Sequence, residues 1–491
     1  MEQRGWKLLR LCLRLCRLCL RLRRRGPLIA MWSWLTDPLN RLFKNGRSHP
    51  GTPLDPGLYH FKRETPPAKA RLHLRVDPDG HGTLVINANQ IVHLNPTAAY
   101  LTYLHLEGRS PEEIKSLLSR SYPGQAEDFQ EDVANITGDV ESFIQANGKA
   151  INPLSEIDFQ APYSLQPSAP YRMDLALTYR CNNDCPHCYN ARERSFPELD
   201  TATWKKIIAR LWDLNIPHLI FTGGEPTLRD DLPELIRYAE QRGQITGLNT
   251  NGRRLSDPGY IQQLIKAGLD HVQITLESHQ PQIHDQMVNL QGAWEQTTAG
   301  IRNAVSSSLF VMTNTTMLQH NQDSLGETLA FLAELGVPTV GLNALIHAGR
   351  GKHVGTGLSE QELNPLLEMA QEKTAAAGQK LIWYTPTLYC RFNPLERGLG
   401  VKGCTAALYN MCLEPDGGVL PCQSYYQQLG NILSDPWDQI WEHELARQLR
   451  NRHYLPEACH SCHLVEECGA GCPLALAENL PLIQPVLPSP I

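Results

Sequence analysis

The string CNNDCPHC at 181–188 limits what this chain can be more than any other feature. Cys181, Cys185 and Cys188 are spaced by four and three, close enough for one short loop to aim all three thiols at one object. Eight more cysteines crowd into 390–472, three lie at the N-terminus (Cys12, Cys16 and Cys19), and 20–180 and 189–389 contain none. Disulfide frameworks usually spread through a fold, and no clear secretory signal is present, so the tight clusters read as metal ligands in a reducing compartment. Three thiolates at this spacing suit three irons of a 4Fe–4S cluster, with the fourth iron left open. Zinc would ask for a fourth protein ligand, and His187 is badly placed between two cysteines.

The rest of the composition sets the frame. At 491 residues the chain exceeds one ordinary core, so two or three domains are expected. No apolar run is long enough for a transmembrane span. The formal charge is −6, but residues 1–25 hold nine Lys or Arg against one Glu, so the body carries −6 − 8 = −14. An acidic body argues against nucleic acid as a partner. Residues 1–30 repeat Leu, Cys and Arg at low complexity. They read as a basic extension, an upstream translation artefact before Met31 or else a membrane-surface helix.

Residues 31–69 read as linker, Pro- and Gly-rich toward their end. RLHLRV (71–76) and TLVINANQIVHLN (83–95) read as strands. Helices follow: one from Pro96 to Gly108, one opened by Ser110-Pro111-Glu112-Glu113 as a capping box, and one over about 125–146 with Phe129, Val133, Ile136, Val140 and Phe143 at helical spacing. The phrase VHLNPTAAYLTYLHLEGRSPEEI resembles the pyrroloquinoline-quinone peptide-chaperone family. That resemblance implies a winged-helix-like α+β domain over 70–148 that binds the leader of a precursor peptide by adding a strand to its sheet. A second linker, 149–170, separates it from the next domain.

From 171 to 345 strand and helix patterns alternate. Strands are expected at 173–179, 218–224, 245–250, 271–277, 309–315 and 337–343, with helices at 201–214, 231–242, 257–267 and 292–306. Six βα units imply a parallel α/β sheet, a partial (βα)6 barrel over 171–385, with its chemistry at the C-terminal strand ends. The cysteine string follows the first strand, and Gly223-Gly224-Glu225-Pro226 follows the second. This pair resembles the radical S-adenosylmethionine (SAM) superfamily. The resemblance implies that the open iron chelates SAM, that Gly223, Gly224 and Glu225 hold its amino group, and that His187 and Tyr189 flank the adenine. Asn249, Glu277 and Ser278 are candidates for ribose or carboxylate contacts. It also implies reductive cleavage of SAM and hydrogen abstraction by the resulting 5′-deoxyadenosyl radical.

Residues 386–476 form a further cysteine-rich domain, followed by a tail at 477–491. CLEPDGGVLPC (412–422) reads as a hairpin, and Cys459, Cys462, Cys468 and Cys472 run as CxxC-x5-C-xxx-C. The segment resembles the SPASM extension of peptide-modifying radical SAM enzymes, which carries two auxiliary iron–sulfur clusters. By that pattern Cys404, Cys422 and Cys472 join the first cluster, with Cys390 as its expected fourth ligand. Cys459, Cys462 and Cys468 join the second, whose usual C-terminal cysteine is missing here, so its fourth iron is expected to take water, a carboxylate or substrate. Cys412 is left to ligate either cluster or simply to pack. Gln423 stands where some sulfatase-maturing relatives have an acidic base.

The combined reading is a cytoplasmic radical SAM peptide maturase, supplied with electrons by a flavodoxin or ferredoxin. The rivals are a radical SAM oxidation of a small molecule, such as a tetrapyrrole side chain, and a non-catalytic iron–sulfur electron-transfer protein.

Overall fold

The computed structural model describes residues 54–63, 70–87, 90–121, 129–146 and 167–479. The basic extension 1–30, the linker residues 31–53, 64–69 and 149–166, and the end of the tail lie outside the described residues.

Strand β1 (Gly57–Arg63) lies inside the stretch read as linker. Its Pro- and Gly-rich surroundings hide a strand that pairs antiparallel along its whole length with β2 (Ala70–Val76). β3 (Gly82–Ile86) and β4 (Gln90–Leu94) complete a four-stranded meander, so the 83–95 run is two short strands. Helices α1 (Pro96–Leu106), α2 (Pro111–Ser121) and α3 (Phe129–Ala146) cover it. Asn95 caps α1, and Ser110 and Glu113 exchange the two capping-box hydrogen bonds at 2.9 and 3.3 Å. The small core joins Leu72, Leu74, Leu84 and Ile86 to Leu101, Ile114 and Val140.

The larger body is a sheet of ten strands in the order β11-β10-β9-β8-β7-β6-β5-β12-β13-β14. Its parallel run is β5 (Arg172–Thr178), β6 (His218–Gly223), β7 (Ile245–Thr250), β8 (His271–Thr275), β9 (Phe310–Thr316) and β10 (Thr339–Asn343), extended by β11 (Lys380–Trp383). The helices expected between strands are α4 (Thr201–Asp213), α5 (Leu232–Arg242), α6 (Pro258–Ala267) and α8 (Ala293–Val305), with α7 (Pro281–Val288) before α8. Among the described residues β11 and β14 are the two edges of this sheet, so the barrel is partial.

Alternation along the strands sorts their two faces. Leu175, Leu177, Leu219, Phe221, Leu248, Val272 and Leu342 join Trp204, Ile208 and Leu235 of the helices in one apolar core. Each such side chain contributes about 1.5–3 kcal/mol on burial. The intervening positions, Asp174, Thr178, Thr222, Asn249, Gln273, Thr275, Asn314 and Asn343, give the inner face a polar surface.

The cysteine-rich segment is not a separate layer. β12 (Asn410–Leu413) pairs in parallel with β5, and β13 (Gly418–Leu420) and β14 (Gly430–Asn431) carry the same sheet outward. The N-terminal domain is fastened at the opposite, N-terminal end of the strands. His73 Nε2 lies 2.7 Å from the Gly243 carbonyl, Arg71 donates to the Gln244 carbonyl at 2.8 Å, and Lys62 pairs with Glu240 at 2.7 Å. No helix among the described residues is long and apolar enough to cross a membrane.

Candidate functional site

The loops after β5 to β10 converge at the C-terminal edge of the sheet, and the 181–188 string is the centre they hold. Arg253, from the loop after β7, donates to the Asn182 carbonyl, and Asn251 donates to Asn182 at 2.6 Å. Arg194 bonds the Cys181 carbonyl at 2.8 Å and Asp184 at 2.7 Å. Arg350, after β10, reaches Asp184 at 2.8 Å, and the Gly351 amide donates to the Cys188 carbonyl at 3.1 Å. So residues from several separate loops fix one cysteine loop.

The three thiols are electrostatic neighbours of one another. Burial pushes Cys181 up to about 11 and Cys185 well above its ordinary value. As free thiols they would stay protonated, whereas iron supplies the positive charge that makes thiolates stable there. Among the described residues no three His, Cys, Asp or Glu close on a point one ion could occupy. A cubane asks for something else, thiolates at separate corners, one per iron. The residues fit that group.

Gly223 and Gly224 press against the cysteine loop. A Cβ on Gly223, whose φ is +140°, would stand 2.1 Å from the Thr178 carbonyl oxygen, and one on Gly224 would stand 2.3 Å from that of Arg180. Only glycine allows this approach. The Glu225 side chain is committed elsewhere. Its Oε1 accepts from the Thr227 amide (3.0 Å), Thr227 Oγ1 (2.6 Å) and Thr250 Oγ1 (2.7 Å), and its Oε2 from the Asn251 amide (2.8 Å). Burial pushes its carboxyl up, and these bonds oppose the shift. The carboxylate braces the ends of β6 and β7 against each other, so what the motif offers a ligand is backbone.

The other expected contacts are placed unevenly. His187 Nε2 is 3.0 Å from Glu277 Oε1, and Glu277 Oε2 accepts from the Thr316 amide at 2.9 Å. Ser278 is fully buried, its Oγ receiving the Gln280 amide at 3.1 Å, which suits a turn brace. Asn249 instead faces the inner side of the sheet. It lines a cavity of about 940 Å³ with Gln273, Met312 and His218, reaching Lys62 and Arg71 of the N-terminal domain.

Tyr189 donates to Gln423 at 3.0 Å, joining the cysteine loop to the hairpin. Beside it Arg192 forms a two-bond pair with the fully buried Glu414, at 2.7 and 3.1 Å. Glu414 also accepts from Tyr179 (3.2 Å) and Gln428 (2.9 Å). The sequence carries no local sign of this joint, because its partners lie 222 residues apart.

Of the eight remaining cysteines, all but Cys412 fall into two groups. Cys404, Cys422 and Cys472 are mutual neighbours, and burial pushes Cys422 up to about 12. Cys390, expected with that group, is a neighbour of Cys459, together with Cys468 and Cys462. The reason is the chain path: the segment at 387–390 runs along the 468–472 turn, and the Tyr389 amide points at Cys468 Sγ, 3.4 Å away. Cys412 is buried among Ala176, Tyr179 and Leu420, with its Sγ 3.6 Å from the Leu413 carbonyl and Cys422 among its electrostatic neighbours.

Two regions of the chain match families of known proteins. The Radical SAM superfamily model matches residues 175–332, and the SPASM iron-sulfur cluster-binding domain model matches 404–463. A PqqA peptide cyclase of Gluconobacter oxydans (strain 621H) is 29% identical over 339 residues, covering 65% of this chain and 91% of its own. An AdoMet-dependent heme synthase of Methanosarcina barkeri (strain Fusaro / DSM 804) is 29% identical over 324 residues, covering 62% and 91%. In fold, SuiB of Streptococcus suis, solved bound to precursor peptide SuiA, matches with a TM-score of 0.64 at 17% identity. It covers 86% of this chain and 97% of its own, so the likeness extends beyond the barrel and the cysteine-rich segment into the N-terminal domain. A structure of anSMEcpe with bound AdoMet matches at 0.51, covering 62% and 86%, with 17% identity. The chain thus carries one region that matches the Radical SAM superfamily model and a second that matches the SPASM iron-sulfur cluster-binding domain model, and the two hold cysteines from each of the groups above.

Proposed function

We propose that this protein is a peptide maturase: it binds a precursor peptide through the N-terminal domain and modifies a core residue by hydrogen abstraction. The observation that carries the reading is the N-terminal α+β domain fastened over the open N-terminal end of the barrel. Its residues Lys62 and Arg71 share one cavity with Asn249 on the inner face. A substrate held on that domain would lie against the inner face of the sheet. The domain also offers an edge: among the described residues β4 pairs with β3 alone, and Ile91 on it is 45% exposed. Such an edge accepts an added strand.

Cys181, Cys185 and Cys188 would hold the SAM-binding 4Fe–4S cluster, and the glycine backbone at 223–224 would meet the SAM methionine moiety. When bound, these groups supply a 5′-deoxyadenosyl radical. The chain's own part is to position the substrate carbon, exclude water and hold the cysteine loop rigid. A flavodoxin or ferredoxin in the cytoplasm would supply the electron. The product is a crosslink, thioether or oxidised residue. Similarity to an AdoMet-dependent heme synthase keeps a tetrapyrrole substrate as the second reading.

The test supplies anaerobic, reduced protein and SAM with candidate precursor peptides and, separately, with iron porphyrins. A peptide mass lower by two hydrogens, together with 5′-deoxyadenosine, supports the proposal. Ile91→Asp should then weaken precursor binding about tenfold (about 1.4 kcal/mol) while leaving uncoupled SAM cleavage unchanged. Porphyrin turnover without any peptide product would overturn it.

A further inference from the structure

Cys459, Cys462 and Cys468 bring three thiols to one group, and residues 473–491 add no further cysteine to it. The structure supplies one from the opposite direction. The segment entering the cysteine-rich region, residues 386–390, doubles back along the 468–472 turn. The Tyr389 amide donates toward Cys468 Sγ at 3.4 Å, and Cys468 Sγ lies 3.7 Å from the Thr387 carbonyl. Gly471, with φ +72°, approaches so closely that a Cβ on it would stand 3.2 Å from the Thr387 carbonyl carbon. These contacts fix the register of the segment, and Cys390, the residue after Tyr389, is a neighbour of Cys459 as Cys468 and Cys462 are. Its exposure at the surface matches the position of the group, since Cys459 and Cys462 are themselves only partly covered.

We infer that Cys390 is the fourth ligand of the second auxiliary cluster, which is therefore closed by Cys390, Cys459, Cys462 and Cys468. On binding, the Cys390 thiol would give its proton to solvent and hold one iron of the cluster as a thiolate. The inference rests on the two-cluster reading of the SPASM segment and extends it. It removes the expected open site from the second cluster.

One rival is close at hand. Glu467 Oε2 is buried with no hydrogen-bond partner, and Glu467 adjoins Cys468 in sequence. Thiolate is the better ligand for an iron–sulfur cluster, and Cys390 is a neighbour of Cys459.

The experiment uses the full chain carrying Cys181→Ala, Cys185→Ala and Cys188→Ala, so that only auxiliary clusters remain. Anaerobically reconstituted protein is assayed for iron and sulfide and by Mössbauer and EPR spectroscopy. The parent should hold about eight irons, as two four-iron clusters. Adding Cys390→Ala should remove between one and four of them, about one if a three-iron cluster survives, and change one of the two spectral components. A small exogenous thiol should restore the four-iron signature, which a misfolded variant would not allow. Glu467→Gln should leave both components unchanged. The proposal is overturned if Cys390→Ala keeps two intact four-iron clusters, or if Glu467→Gln alone disturbs one. A parent that holds a single cluster overturns the two-cluster reading itself, before any change at Cys390 is tested.

Discussion

The two cysteine regions of this protein solve the same problem in opposite ways. Cys181, Cys185 and Cys188 come from one eight-residue string, and the tertiary structure only braces it, with arginines, amides and two glycines from neighbouring loops. The auxiliary cysteines are scattered over 390–472, and the fold decides which of them meet. A short loop loses little entropy in gathering its ligands, whereas distant ligands must wait for the sheet and turns that carry them. The first kind of site is legible as a motif; the second is legible only as a count.

The comparison breaks most sharply at the cysteine loop. Replacing Cys181, Cys185 and Cys188 with alanine should reduce 5′-deoxyadenosine formation to background, a loss of at least about a thousandfold, while iron in the auxiliary groups persists. If SAM cleavage survives, or if the auxiliary iron is lost with it, the two regions are not separable sites.

The next largest effect is expected where the two regions join. Arg192→Ala leaves the fully buried Glu414 without its cation, and breaking such a pair costs about 3–5 kcal/mol. Anaerobic urea unfolding should show it as a lowered midpoint. A change within error would mean that Tyr179 and Gln428 suffice to hold Glu414.

A smaller effect concerns the fastening of the N-terminal domain. Burial pushes the His73 imidazole down to about 3, from an ordinary value near 6.5. The unfolded chain takes up a proton as pH falls through 6.5, and the folded chain does not until about 3. Stability is therefore full above the unfolded value and is lost as the solution becomes acid. Between about pH 7.5 and about pH 5.5 this group alone should remove about 1.4 kcal/mol. His73→Gln should flatten the pH dependence of the unfolding midpoint by about one proton. An unchanged slope would show that His73 is solvated and titrates normally.

The smallest effect belongs to Tyr189→Phe, which deletes one hydrogen bond to Gln423, worth about 1 kcal/mol. Its expected signature is a slight loss of stability with SAM cleavage retained. A large fall in SAM cleavage with stability unchanged would place the Tyr189 hydroxyl in the SAM site instead of at the joint between the two regions.

The positions of the six parallel strands, of their connecting helices and of the capped helices after β4 could be read residue by residue, because each depends on local periodicity and on caps a few residues away. Strand β1 could not. Gly57–Arg63 has Pro56 before it and Pro66 and Pro67 after it, and it becomes a strand only because β2 accepts its hydrogen bonds along seven residues. The joining of β12 to β5 was equally hidden, since parallel pairing between residues more than two hundred positions apart leaves no mark in either strand.

The same division runs through the site. The sequence by itself determined that three thiols would sit on one loop at a strand end and that GGEP would follow the next strand, because spacing and periodicity are properties of neighbouring residues. Only the tertiary structure decided that Glu225 turns its carboxylate into a brace between β6 and β7, that Arg192 and Tyr189 tie the cysteine loop to the hairpin, and that Cys390 comes to neighbour Cys459. Each of those outcomes depends on which distant backbone a side chain meets. A hydrogen bond or an iron ligand acts over about three ångström, whatever the separation in sequence.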